Sequence, residues 1–407
     1  MDDERQIYLI GLKYFTTGEW PYLGPDVVYT RTQVPGGLQG ALIGWPFRVV
    51  EAPESPFVLL NLLSLGSLGL LAWYIGRRLP DVPGWFLWPL VFFSPWTLNF
   101  STHVTNPSYV LTGGILFFVA IFELLPRLRA DLVPRPLAFL MAGFGLLWVA
   151  QLHMSTPLLA PFALAALGIA ARGGREALQS AGWFAAGALV AGSTLIPTLA
   201  AYGPTAGGVW ANVTFDATGL QRLPEIAARF FSFASFELPR FIGPNTATRL
   251  EFLRSYPWVA PFAVFAGVCG LLQPLILLGT LFVRRGQPPA FGAVKAVTVA
   301  TLALVYISFV FSVKDPASHT FYVTLPVVTI YAVYCWRPFL HHRAGRAVAA
   351  ALLVSGLVTH LAIAIDGFHR RSLYRDRALV VRALRDRDYR ILGERRPVLW
   401  DLEQAGP

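Results

Sequence analysis

The sequence predicts an all-α, polytopic integral membrane helix bundle, and three observations carry that prediction. Of 407 residues, 55% are hydrophobic and only 14% are charged, whereas a soluble domain carries about 25% charged residues. Apolar runs follow one another from Pro56 to Ile365 with short connections. The arginines concentrate in those connections, so the net charge of +10 reads as topology signal and headgroup contact rather than a nucleic-acid surface. No nucleic acid is expected as a partner; membrane lipids are.

The first stretch, 1–55, is the polar exception. Asp2-Asp3-Glu4 opens it, and Tyr8, Leu12 and Phe15 follow at helical spacing. Leu38, Leu42, Trp45 and Val49 repeat that spacing. Both segments read as short amphipathic helices lying at the membrane interface, joined by a Gly/Pro-rich loop over 18–36.

A helix needs about 20 apolar residues to cross a typical hydrocarbon core. The expected spans, about ten in all, are 56–76, 84–100, 107–125, 136–151, 154–171, 180–202, 256–283, 290–312, 320–337 and 344–365. The run 136–171 would measure about 54 Å as one helix at about 1.5 Å per residue. It is therefore divided at Gln151-Leu152-His153-Met154-Ser155-Thr156-Pro157, its polar, Pro-bearing stretch.

Arg77/Arg78, Arg127/Arg129/Arg135, Arg172/Arg175, Arg284/Arg285 and Arg337/Arg343/Arg346 then share one side, which the positive-inside rule makes cytoplasmic. The other side receives 1–55, the turn 101–107, the turn at His153, the loop 203–255 and the stretch Lys314–His319. The arginine-rich tail 366–407 falls there too, against the charge rule. The domain reading is an outer catalytic platform (1–55), a membrane bundle (56–365) with its large outer loop (203–255), and an extramembrane tail (366–407). Within the loop a helix is expected over 225–234, and within the tail over 379–384. Cys269 and Cys335 both lie in apolar runs, which supports neither a disulfide framework nor a cysteine metal site.

The outer side gathers carboxylates (Asp2, Asp3, Glu4, Asp26), cations (Arg5, Lys13, Arg31, Lys314) and imidazoles (His103, His153, His319). A carboxylate takes the proton of an attacking hydroxyl, and cations counter the charge that grows on a departing phosphate. That set suits transfer of a group from a lipid-linked phosphate to a hydroxyl at the membrane surface.

Asp3-Glu4 with Tyr8, then Gly18-Glu19-Trp20-Pro21-Tyr22-Leu23-Gly24-Pro25 and Pro35-Gly36-Gly37, resembles the first outer loop of GT-C glycosyltransferases. Within that family the likeness is to the bacterial relatives of protein O-mannosyltransferases and lipid A aminoarabinose transferases. Lys314-Asp315-Pro316-Ala317-Ser318-His319-Thr320-Phe321-Tyr322, running into Leu325-Pro326, is similar to the family's late loop, with a basic residue before a Tyr and a Pro-containing span. Gln151-Leu152-His153 fits its outer-facing breaks.

The resemblance implies an enzyme moving a sugar from a polyprenyl phosphate to a lipid, glycan or protein hydroxyl on the non-cytoplasmic face. Asp3 is the expected general base, with Asp2 or Glu4 as alternatives. Arg31, His103, His153, Lys314, His319 and Tyr322 are the expected substrate contacts. No cofactor is assigned, and a divalent cation stays open. The family sets a transmembrane helix before its Asp-Glu pair, whereas here only Met1 and Asp2 precede it, which implies a misassigned start, a truncated chain or a lost helix. Two rival readings stand: a multi-span lipid or glycan transporter or flippase, which should bury ionisable groups near the midplane, and a non-catalytic membrane protein truncated at its first helix.

Overall fold

A computed structural model of the chain describes residues 3–27, 32–105, 107–233, 242–243, 245–283, 289–312, 316, 318–369 and 376–393. Asp2, Arg31, Lys314, Arg284 and Arg285, and the end of the tail therefore lie outside the described residues.

Helix α1 (Asp3–Thr17) and helix α2 (Leu38–Val49) form an antiparallel pair. Gly18, at φ +75°, stops α1, and its N–H bonds to Tyr14 O at 3.0 Å; glycine adopts that left-handed closing conformation without a Cβ penalty. The segment expected as loop contains instead a two-stranded sheet, β1 (Leu23–Val27) against β2 (Thr32–Pro35), with Asp26 opposite Gln33. Gln33 Nε2 donates to Asp26 Oδ1 at 3.0 Å, and Val27 and Val34 are buried. Cross-strand pairing and burial thus override the local Gly/Pro signal.

Helix α1 packs within the protein along most of its length. Gln6, Ile7, Leu9, Ile10 and Leu12 are all buried. Ile7, Leu9 and Ile10 fill faces that the stripe of Tyr8, Leu12 and Phe15 leaves, so apolar residues cover more than one face of the helix while Arg5 and Lys13 stay partly exposed. Its partner α2 comes close because glycines face it: a Cβ on Gly11 would strike Ile43, and one on Gly44 would stand 2.6 Å from Tyr14.

The bundle follows as α3 (Ser55–Arg78), α4 (Gly84–Phe92), α5 (Pro95–Thr102), α6 (Val110–Leu124), α7 (Arg135–Ala150), α8 (Ala160–Ala170), α9 (Arg175–Gly192) and α10 (Ile196–Tyr202). After the loop helices α11 (Leu223–Ser232) and α12 (Thr246–Ser255) come α13 (Ala260–Phe282), α14 (Pro289–Val310), α15 (Leu325–Leu340), α16 (Arg343–His369) and the tail helix α17 (Arg377–Arg385). Among the described residues, six helical stretches are long and apolar enough to cross a membrane, or up to seven if the bent pair α9–α10 is one span. Helices α6 and α7 are apolar but shorter, at 15 and 16 residues.

The run 136–171 does divide at the polar stretch, α7 ending at Ala150 and α8 starting after a 3-10 turn at Thr156–Leu158. Two other expected continuous runs are broken. The run 84–100 becomes α4 and α5, because Pro95 cannot continue the helical ladder and Ser94 Oγ accepts from Thr97 N–H at 3.4 Å as an N-cap. The run 180–202 becomes α9 and α10, bent by 73° just before Pro197.

Small residues let the core helices touch. A Cβ on Gly143 of α7 would collide with Phe184 O, and one on Gly187 of α9 with Leu140 O. Close backbone approach of this kind drives helix association in lipid.

Contacts define two ends of the bundle. At one, Arg78 Nε donates to Tyr334 OH (3.2 Å), Arg337 pairs with Asp81 (2.6 Å) and Arg135 with Glu176 (2.8 Å). There too the buried Glu123 accepts from Tyr74 OH (2.7 Å) and from the backbone N–H groups of Ala130 and Leu132. At the other end, the α1–α2 platform meets the turns. Tyr8 OH donates to Pro53 O (3.0 Å), Gly37 N–H to Thr194 O (3.2 Å) and Thr198 Oγ1 to Tyr22 O (2.5 Å). The tail docks at this platform end through Arg377–Glu54, Arg387–Glu51 and Arg5–Asp376.

Candidate functional site

Asp3 and Glu4 occupy the first turn of α1. Glu4 is half-buried. Four residues on, Tyr8 anchors the helix on the α2–α3 connection through Pro53 and stands 6.0 Å, ring to ring, from Phe57.

The next connection starts from that neighbourhood. Tyr109 OH donates to Pro56 O at 2.9 Å, and Ser108 Oγ donates to His103 O at 2.5 Å. His103 itself terminates α5, half-buried, its Nδ1 3.3 Å from Asn99 O. One turn earlier, the Phe100 ring packs tilted against Tyr322, 4.4 Å between centroids. Tyr322 belongs to the 3-10 turn Ser318–Thr324, which also carries His319. So the structure sets His103 and the Tyr322 turn on neighbouring elements, with Phe233 packed against both Trp96 and Tyr322.

Tyr322 is fully buried, and its hydroxyl has no hydrogen-bond partner among the described residues. Such a group costs about 1–3 kcal/mol unless something meets it.

His153 is placed differently. It is buried, accepts from Ser155 N–H through Nδ1 at 3.1 Å, and has Ser155 Oγ 3.0 Å from the same atom. In the neutral ring the proton therefore sits on Nε2. The turn it closes is tied to the platform through its neighbour: a Cβ on Gly36 would stand 2.7 Å from the Gln151 side chain. Gln151 in turn donates to Ala191 O and accepts from Thr194 Oγ1, both at 2.7 Å. The Pro35-Gly36-Gly37 and Gln151-Leu152-His153 segments thus pack together.

Sequence reasoning singled out Trp20 within a motif but missed Gln33 and Gln39 of the platform. Gln39 of α2 is fully buried, and neither amide atom has a partner among the described residues. The same holds for Trp20 Nε1 and for the Oε1 of buried Gln33. The available signal was a glutamine amid small and apolar residues, Gly36-Gly37-Leu38-Gln39-Gly40. Among the described residues, no group of three or more His, Cys, Asp or Glu stands together as a metal site would require.

A bundle of apolar helices capped by a polar, buried-hairpin platform defines this chain as an integral membrane protein. No family model matches the sequence, and no curated protein matches it.

Proposed function

We propose that the chain is a GT-C type membrane glycosyltransferase of about ten spans. It moves a sugar from a polyprenyl-phosphate donor to a lipid, glycan or protein hydroxyl on the non-cytoplasmic face. Asp3 deprotonates the attacking hydroxyl, with Glu4 beside it, and inversion at the anomeric carbon follows from the single displacement. In this reading the ten spans count α4–α5 and α9–α10 as broken crossings, and the platform end is the non-cytoplasmic one because the arginine end obeys the positive-inside rule.

One observation carries the reading. Among the buried polar atoms without a hydrogen-bond partner among the described residues, those of Trp20 and Tyr322 lie in the stretches that resemble the family and those of Gln33 and Gln39 flank Pro35-Gly36-Gly37, while others, His360 Nε2 among them, lie elsewhere in the bundle. A fold tolerates unpaired buried donors and acceptors where a polar ligand meets them. A sugar, with several hydroxyls and a ring for Tyr or Trp to face, is such a ligand. His103 and His319 flank it in this scheme, and Arg31 and Lys314, in segments adjoining the platform and the Tyr322 turn, meet the phosphate. Ionisable groups near the midplane, the mark of a transporter, are few, and buried Glu123 is occupied by Tyr74 and loop backbone at the arginine end.

The test is donor class. Purified protein in lipid nanodiscs, given a radiolabelled polyprenyl-phosphate sugar and an extract of membrane glycans, should transfer label. The same sugar as a nucleotide conjugate should not serve. Transfer from the nucleotide sugar without a lipid carrier would contradict the proposal.

A further inference from the structure

At the arginine end, far along the chain from the platform, α13, α15 and α16 enclose an apolar groove. It is a cavity of about 420 Å³ lined by Cys269, Gln273 and Ile276 of α13, Trp336 and Phe339 of α15, and Val348 of α16. That volume lies in the range of about 300–1,000 Å³ typical of small-molecule sites. Ala344 and Gly345, in the first turn of α16, close its end.

The mouth of the groove is cationic. His342, Arg343 and Arg346 are exposed, and their side chains have no partner among the described residues. Arg343 and Arg346 share the first helical turn with the lining residues Ala344 and Gly345. The neighbouring cations differ. Arg337 and His341 both engage Asp81, at 2.6 and 3.2 Å. That carboxylate is therefore already committed to Arg337 and His341, and the charge of Arg343 and Arg346 is left for a partner outside the protein.

We infer that this groove binds an anionic glycerophospholipid, one acyl chain lying in the cavity and the phosphate meeting Arg343 and Arg346. An apolar slot alone would accept any chain. The slot together with unpaired arginines at headgroup depth selects the anionic lipid, as basic pockets between transmembrane helices do. A second copy of this chain is the poorer occupant, since it would have to bring a carboxylate to the same arginines. The inference is independent of the reaction proposed above.

Native mass spectrometry of the full chain, exchanged from detergent with equal amounts of phosphatidylglycerol and phosphatidylcholine of identical acyl chains, reads the site. The wild-type protein should retain one phosphatidylglycerol with at least tenfold preference. Arg343→Gln with Arg346→Gln should lower that preference about tenfold or more, the loss expected for two arginines near an anionic surface, with unchanged thermal unfolding. Val348→Trp fills the groove and should lower retention of both lipids while the arginines remain. Equal retention of the two lipids by the wild type, or retention unaffected by either variant, overturns the site. So does a lipid-free dimer that Val348→Trp dissociates, because it makes the second copy the occupant.

Discussion

Arg5 Nε donates to the carbonyl oxygen of Leu392 at 2.7 Å, joining positions 387 residues apart. The bond brings the tail against the first turn of α1, where Asp3 and Glu4 stand. The tail's other anchors follow the same edge: Arg377 reaches Glu54, and Arg387 reaches Glu51 while lying 4.5 Å over the Phe15 ring. A platform whose helix begins with the proposed base is thus braced by the last described residues of the chain.

Those braces are exposed, so each ion pair contributes about 0–1 kcal/mol, and the Arg387–Phe15 stacking about 0.5–1 kcal/mol. The double change Arg377→Ala and Arg387→Ala should leave the bundle's Tm nearly unchanged. It should raise the open population of the tail about tenfold, a shift of about 1.4 kcal/mol. Limited proteolysis under native conditions measures this as about tenfold faster cleavage within 376–393. An unchanged cleavage rate would mean that α17 is held by its apolar face alone, through the buried Val380, Ala383 and Leu384.

At the opposite end, partial burial works against ionisation of Asp81, but the hydrogen bond and charge of Arg337, with His341 beside it, outweigh burial and hold its carboxyl below its ordinary value of 3.8. A folded value depressed below the unfolded one gives stability that is present above about pH 3.8 and lost as pH falls through the folded value. Asp81→Asn should therefore lower stability by about 1 kcal/mol near neutrality, a magnitude set by its partial exposure. The deficit should shrink as pH falls below about 3.8. Thermal unfolding of both proteins across that range checks the sign; a deficit that grows on acidification would refute it.

The membrane helices were legible because apolar runs and Pro or Arg punctuation are local properties. Pro95 and Pro197 sit inside apolar runs, so composition read each as one span where the backbone is broken or bent. The β1–β2 pair was illegible for the opposite reason. Its support is the contact of Gln33 with Asp26 and of Gly207 with Gln33 O, which no window of sequence displays. Burial of α1 was written in Ile7, Leu9 and Ile10, but the polar neighbours Arg5 and Lys13 suggested a wet face. In the structure those two cations pair instead with Asp376 and Glu19. Of the candidate site, the residue types were legible and their grouping was not: the Phe100–Tyr322 ring contact and the Gly36–Gln151 contact depend on the folded bundle.

Tyr322 separates stability from function. Removing an unpaired buried hydroxyl relieves its desolvation cost, so Tyr322→Phe should stabilise the protein by about 1 kcal/mol. If the hydroxyl contacts the donor, the same change should weaken donor binding about tenfold, the worth of one lost hydrogen bond of about 1.4 kcal/mol. Differential scanning fluorimetry and donor titration, run on the same preparation, read the two effects. A more stable variant with unchanged donor affinity would remove Tyr322 from the site.

The most direct test of the account is Asp3→Asn, with donor binding and transfer rate measured separately. Asparagine keeps the shape of the side chain but cannot accept the proton. General base catalysis typically contributes about 10²–10⁴-fold, so transfer should fall by that order while binding of the polyprenyl-phosphate sugar survives. Asp2→Asn, and to a lesser degree Glu4→Gln, should cost much less. Loss of transfer in Asp2→Asn or Glu4→Gln with Asp3→Asn at the parent rate would move the base to another carboxylate. Parent-rate transfer by all three variants would contradict the central claim.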